Sequence, residues 1–125
     1  MLGVNEMSGG INFNDGVFWG KAGWCYRNAR DEICATLREI PGGSALAEEI
    51  SAESHPAQYC EYLDLKDWPR EKRKLLFQAI YRCVDRVAME GPVGWHDPAF
   101  FPSFLRAMEE LAQTARKIEA REEDS

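Results

Sequence analysis

Between Trp68-Pro69 and Gly91-Pro92 the chain carries one long segment in which Leu75, Leu76, Ala79, Ile80, Cys83, Val84, Val87 and Ala88 recur at helical spacing. That pattern gives an α-helix a wide apolar face, which must be buried against something. Proline is tolerated in a first turn because its missing N–H would have had no partner there, so Asp67 or Trp68 is expected at the cap. Glycine and proline at 91 and 92 stop the helix at about Glu90. A helix of about 22 residues is about 33 Å long, the span of a small domain. The rest of the chain has to be organised around it.

Two further helices repeat the same logic. From about Ala22 to Ile40, Tyr26, Ala29, Ile33, Leu37 and Ile40 form one stripe with Arg27, Arg30, Asp31 and Arg38 outside it, and Pro41-Gly42-Gly43 ends it. From about Phe101 to Ala120, the buried stripe is Phe101, Phe104, Leu105, Met108, Leu111, Ala112, Ala115 and Ile118, with Glu109, Glu110, Arg116 and Lys117 pointing away. A shorter helix follows Ser44, its N-cap candidate, through Leu46, Ala47 and Ile50 to about Glu53. Asp97 is placed to cap a short helical start at Pro98.

The extended segments are short. Ile11-Asn12-Phe13 and Val17-Phe18-Trp19 flank Asn14-Asp15-Gly16, a turn-forming triplet, and predict a small hairpin that must lie on the helices to persist. Gln58 to Leu65 is rich in aromatic and extended-prone residues with partial alternation, and it is the natural sheet partner of that hairpin. The fold class expected is therefore mainly α: a single-domain bundle of about four helices, with a short N-terminal hairpin or small sheet giving the α+β alternative. Frayed ends are expected over about 1–10 and 121–125. At 125 residues a domain buries roughly 65% of its unfolded surface, enough for a core without staples.

Most chemistry is excluded by spacing. Cys25, Cys34, Cys60 and Cys83 contain no Cys-x-x-Cys pair, and Cys34, Cys60 and Cys83 sit among apolar or aromatic neighbours as small buried hydrophobes do. His55 and His96 lack metal-ligand spacing, and a Cys60–His55 nucleophilic pair has no motif that would expose the thiol. Glu48-Glu49 and Glu109-Glu110 diverge by about 100° on a helix and do not converge on one substrate. Gly9-Gly10 and Gly42-Gly43 lack phosphate-loop spacing. No catalytic residue, metal or cofactor is expected, and the chain is not expected to be an enzyme. The start of the chain has no positive cluster followed by an apolar run, and no window is apolar enough to span a bilayer, so a cytoplasmic location is expected without membrane association.

Charge carries more information once it is located. From Asp31 to Asp64 eight acids (Asp31, Glu32, Glu39, Glu48, Glu49, Glu53, Glu61 and Asp64) face one base, Arg38, while the remainder holds thirteen acids and fourteen bases. The net charge of −6 thus originates in one stretch. Arg70, Lys72, Arg73 and Lys74 make a basic run, but Glu71 interrupts it and the acidic field repels phosphate, so nucleic acid is not an expected partner. These bases are expected to pair with the preceding acids or to be solvated. Tyr59, Tyr62 and Trp68 alternate with Glu61, Asp64 and Asp67, the mixture of a surface that meets a basic protein. Trp95, Phe100, Phe101 and Phe104 read either as a loop plugged into the core or as an interface.

In size, charge and layout the whole chain resembles small acidic bacterial immunity proteins, with Tyr59-Cys60-Glu61-Tyr62-Leu63-Asp64 before the long helix and Gly94-Trp95-His96-Asp97-Pro98 before the last one. The resemblance implies a protein that blocks a toxin by covering its active site. A toxin that cuts nucleic acid needs a basic cleft, to which an acidic inhibitor is steered. Partner-binding candidates are Glu48, Glu49, Glu53, Tyr59, Glu61, Tyr62, Asp64 and Trp68, the carboxylates pairing with the toxin's bases and the aromatics anchoring the centre. The alternative is an acidic adaptor or secretion chaperone that holds a protein client.

Overall fold

The long segment does form the central helix, but it lacks the cap expected of it. In the computed structural model, which describes residues 8–14, 16–52 and 60–124, this helix spans Arg70–Glu90 and Pro69 itself occupies the cap position, in an extended conformation with no side-chain hydrogen bond. Proline has no N–H to satisfy and cannot continue a helix backwards, so it starts one without help from Asp67 or Trp68. The C-terminal stop is Gly91, at φ 66°, whose N–H donates to the Val87 carbonyl.

In chain order the elements are β1 (Ser8–Asn14), β2 (Val17–Ala22), α1 (Gly23–Leu37), α2 (Ser44–Ala52), β3 (Cys60–Asp64), α3 (Arg70–Glu90), one 3-10 turn (Pro98–Phe100) and α4 (Phe101–Asp124). The domain is mainly helical, with four α-helices and one small sheet among the described residues. The hairpin exists: β1 and β2 pair antiparallel around Gly16, at φ 79°, with a register shift between Asn12 and Asn14. β3 joins as the hairpin's partner, running parallel to β1, and the strand order is β2-β1-β3. Parallel neighbours need a long crossover. Here β2, α1 and α2 supply it.

The inner face of the sheet carries Ile11, Phe13, Trp19 and Leu63, all buried in one cluster with the helices. α1 packs on this face and contacts α2 and α3; α3 in turn packs on α4. Trp19 crosses from sheet to bundle, its indole N–H donating to the Ala107 carbonyl at 3.0 Å. On α3 the buried positions are Leu76, Phe77, Ala79, Ile80, Cys83, Val84 and Val87. Ala88, expected on this face, is exposed, and Leu75 is only partly buried. The face has rotated towards Phe77, whose ring stacks on Phe13 at 6.1 Å.

Two helix ends differ from expectation. α1 stops at Leu37 rather than Ile40, because the N–H groups of Glu39 and Ile40 turn to the carbonyls of Thr36 and Leu37, three residues back. α4 continues to Asp124 instead of fraying after Ala120. Glu122, mostly buried, meets Arg73 of α3 at 3.0 Å, and this contact fastens the last turn to the bundle. Ser44 is the first residue of α2 rather than its cap, whereas Asp97 does cap the 3-10 turn by accepting from the Ala99 N–H at 3.0 Å.

Candidate protein-binding surface

The acidic stretch is folded back onto the protein's own bases. Arg86 of α3 donates to the Glu32 carboxylate at 2.7 Å and to its main-chain carbonyl at 3.2 Å, with Glu39 3.8 Å away. Burial works against the charge of Arg86, but the hydrogen bond and charge of Glu32 outweigh it and its pKa is raised. Glu48 lies 3.7 Å from Arg38, and Glu49 pairs with Lys72. Asp31 lies 3.9 Å from Arg30. A continuous unpaired acidic face, which the linear charge count suggests, does not form from these carboxylates. Their local potentials are flattened; the net charge of −6 and its long-range field are untouched by internal pairing.

The eight candidate residues consequently separate. Glu53 and Tyr59 lie outside the described residues, as does the side chain of Glu61. Glu48 is 77% exposed and Glu49 42%. Asp64 accepts from Asn12 Nδ2 at 3.1 Å and from the Lys66 N–H at 3.0 Å, so it shapes the end of β3. Trp68 is partly buried against the core, with the Lys72 ammonium 4.3 Å from its ring centre. That leaves Tyr62 as the exposed aromatic of the set.

Tyr62 has a companion that sequence reasoning missed. Side chains alternate across a strand, so burial of Trp19 and Leu63 turns Phe18 and Tyr62 to the opposite face of the sheet. Phe18 is 54% and Tyr62 51% exposed. The register sets Gly10 between Gly20 and Tyr62, and Asn12 between Phe18 and Asp64. The Phe18 ring leans over the two glycines: a Cβ built on Gly10 or Gly20 would come within 2.7 Å or 2.6 Å of it. The outer face therefore consists of two exposed rings on a glycine floor, with the Asn12–Asp64 pair beside them. The alternation of β2 was visible in the sequence, but not which of Phe18 and Trp19 would face inward.

Of the aromatic cluster near the last helix, Trp95 reads as the plug, packing on Phe101 and Phe104 at 5.5 and 5.1 Å. Phe100 does not follow it inward; it stays 53% exposed beside Trp24. No group of His, Cys, Asp and Glu placed to hold a metal occurs among the described residues, and no helix there is long and apolar enough to cross a membrane.

The side chain of Cys60 lies outside the described residues, and the other three cysteines are structural. Cys25, Cys34 and Cys83 are buried free thiols, and burial raises the pKa of each, that of Cys83 from 9.0 to about 12. A thiolate is the reactive form, so all three should resist iodoacetamide at pH 8 in the folded protein and react once urea unfolds it. Mass spectrometry of the labelled chain checks this; rapid native labelling of Cys83 would contradict it. Sign follows from linkage: below pH 9 both states hold the proton, and above it the unfolded chain releases the proton first. The contribution of Cys83 to stability should therefore fall between pH 9 and about 12, by up to about 1.4 kcal/mol per pH unit.

Comparison of the chain with protein-family models, with curated proteins and with solved structures finds no match, so the surface itself carries the functional argument.

Proposed function

We propose that this protein is a protein-binding inhibitor of the immunity type, which neutralises a basic toxin by covering its active site with the outer face of its sheet. The observation that carries this reading is the pair of half-exposed rings, Phe18 and Tyr62, on the glycine-floored outer face of one sheet. Large aromatic groups with few rotors are the usual energetic centres of protein interfaces, and a preorganised sheet lowers the entropy lost on association. The net charge of −6 supports a basic partner by steering its approach.

Internal pairing of the acids changes the role expected of them. Exposed ion pairs contribute about 0–1 kcal/mol in water, so Glu48 can leave Arg38, 3.7 Å away, for a base of the partner at little cost. Carboxylates would then set the rate of encounter, and the rings would set the lifetime of the complex.

The test begins with capture of the partner from the native host on the tagged full chain. The captured protein should be basic and have an enzymatic activity that the purified chain suppresses at equimolar ratio. Tyr62→Ala and Phe18→Ser should each weaken the complex by about tenfold to a hundredfold, mainly through faster dissociation, with circular dichroism unchanged. Glu48→Lys should slow association and reduce its salt dependence. If the Phe18→Ser, Tyr62→Ala double variant binds as tightly as the parent, this face is not the interface. A captured partner whose activity continues in the complex would favour an adaptor or chaperone instead.

A further inference from the structure

A second surface has a different chemistry. Between the start of α1 and the loop that precedes α4 lies an open cavity of about 380 Å3, walled by Trp24, Trp95 and Phe100, with Asn28, His96 and Asp97 at its polar side. We propose that this cavity binds a small soluble molecule carrying a quaternary ammonium group.

Three observations support that ligand class. First, the walls form a corner: the Trp24 and Phe100 rings lie 5.6 Å apart and are tilted by 60°. Trp95 stands fixed beside them through Phe101 and Phe104. A rounded tetrahedral ammonium fills such a corner, whereas a planar guanidinium prefers to lie flat on one ring.

Second, the electrostatics favour a cation. Aromatic faces are negative, Asp97 adds a carboxylate, and no lysine or arginine lines the cavity. Asp97 has no ion-pair partner among the described residues; one of its oxygens receives the Ala99 N–H. Elsewhere the protein's own cations lie over its rings, buried or partly buried: Lys72 over Trp68 at 4.3 Å, Arg116 over Tyr81 at 5.0 Å and Arg30 over Tyr26 at 5.9 Å. Among the described residues no internal cation sits over Trp24, Trp95 or Phe100.

Third, the loop is built to hold this shape. Gly94 adopts φ 85°, a conformation that ordinary side chains rarely take. The Trp95 N–H donates to the Pro92 carbonyl at 3.0 Å, and the Phe100 N–H to the Asp97 carbonyl at 3.2 Å. Walls fixed in this way do not have to be ordered when a ligand arrives.

The experiment titrates the 15N-labelled full chain with choline and, separately, with 3,3-dimethylbutan-1-ol, its neutral isostere. Choline should shift the indole N–H signals of Trp24 and Trp95 and the amides of residues 97–100, saturably and together. Binding of the isostere should be weaker by about tenfold, the contribution of a cation–π contact that is partly desolvated. Asp97→Asn keeps an oxygen to cap Ala99 but removes the charge, and should weaken choline by about threefold to tenfold with the spectrum otherwise unchanged. Phe100→Leu, at an exposed ring, should do the same. Equal affinity for choline and its isostere overturns the proposal, as does a choline titration without saturation or one unaffected by both substitutions.

Discussion

Phe77→Ala should lower the free energy of unfolding by about 3–5 kcal/mol, the range for an aromatic ring removed from a packed core. Phe77 is fully buried on α3 and stacks on Phe13 of β1 at 6.1 Å with planes 25° apart. The ring therefore joins the central helix to the sheet that carries the proposed interface. Its loss removes apolar burial, an aromatic pair and dispersion contacts on both sides, and backbone elements on either side of the gap relax only in part. Since domains of this size are stable by about 5–15 kcal/mol, the variant should lie near the edge of folding at 37 °C. Equilibrium unfolding in urea measures the change. Phe77→Leu, which keeps most of the volume, should cost far less, about 1–1.5 kcal/mol. A loss below about 1 kcal/mol for the alanine variant would mean that the sheet does not depend on this contact.

Phe77 also shows where sequence reasoning loses resolution. In Leu75-Leu76-Phe77 three apolar residues follow one another, so spacing alone does not say which two face inward; the choice was made by Phe13, 64 positions earlier in the chain. Features governed by neighbouring residues were legible: the hairpin through Asn14-Asp15-Gly16, the end of α3 before Gly91, and the Asp97 cap. Features governed by distant ones were not. The parallel direction of β3, the helical last turn held by Arg73, and the pairing of Glu32 and Glu39 with Arg86 all join segments far apart in sequence. The acidic stretch is the clearest instance, because a count along the chain locates charge in one dimension while neutralisation happens in three. Lys72 does pair with a preceding acid, as expected, but the base that gathers two of the stretch's acids, Glu32 and Glu39, is Arg86, outside the 70–74 run.

The second large effect is expected at the floor of the candidate interface, where Gly10 and Gly20 face each other across β1 and β2. A Cβ on Gly10 would collide with the main-chain carbonyl oxygen of Trp19, which cannot move without parting the two strands. Trp19 is held in turn by its indole bond to Ala107 of α4, so displacement there loosens the link between sheet and bundle. Gly10→Ala should thus cost about 3 kcal/mol, the upper end of overpacking effects. Gly20→Ala meets only the Phe18 ring, at 2.6 Å, a side chain free to swing towards solvent. Because alanine also restricts the unfolded chain, this variant should stay within about 1 kcal/mol of the parent. Urea denaturation distinguishes the two, and equal costs would show that the strands are not packed as closely as described. The surviving variant then separates stability from binding. Gly20→Ala leaves the core alone but displaces Phe18, so a folded protein with a weakened partner complex is expected, whereas unchanged binding would remove Phe18 from the contact surface.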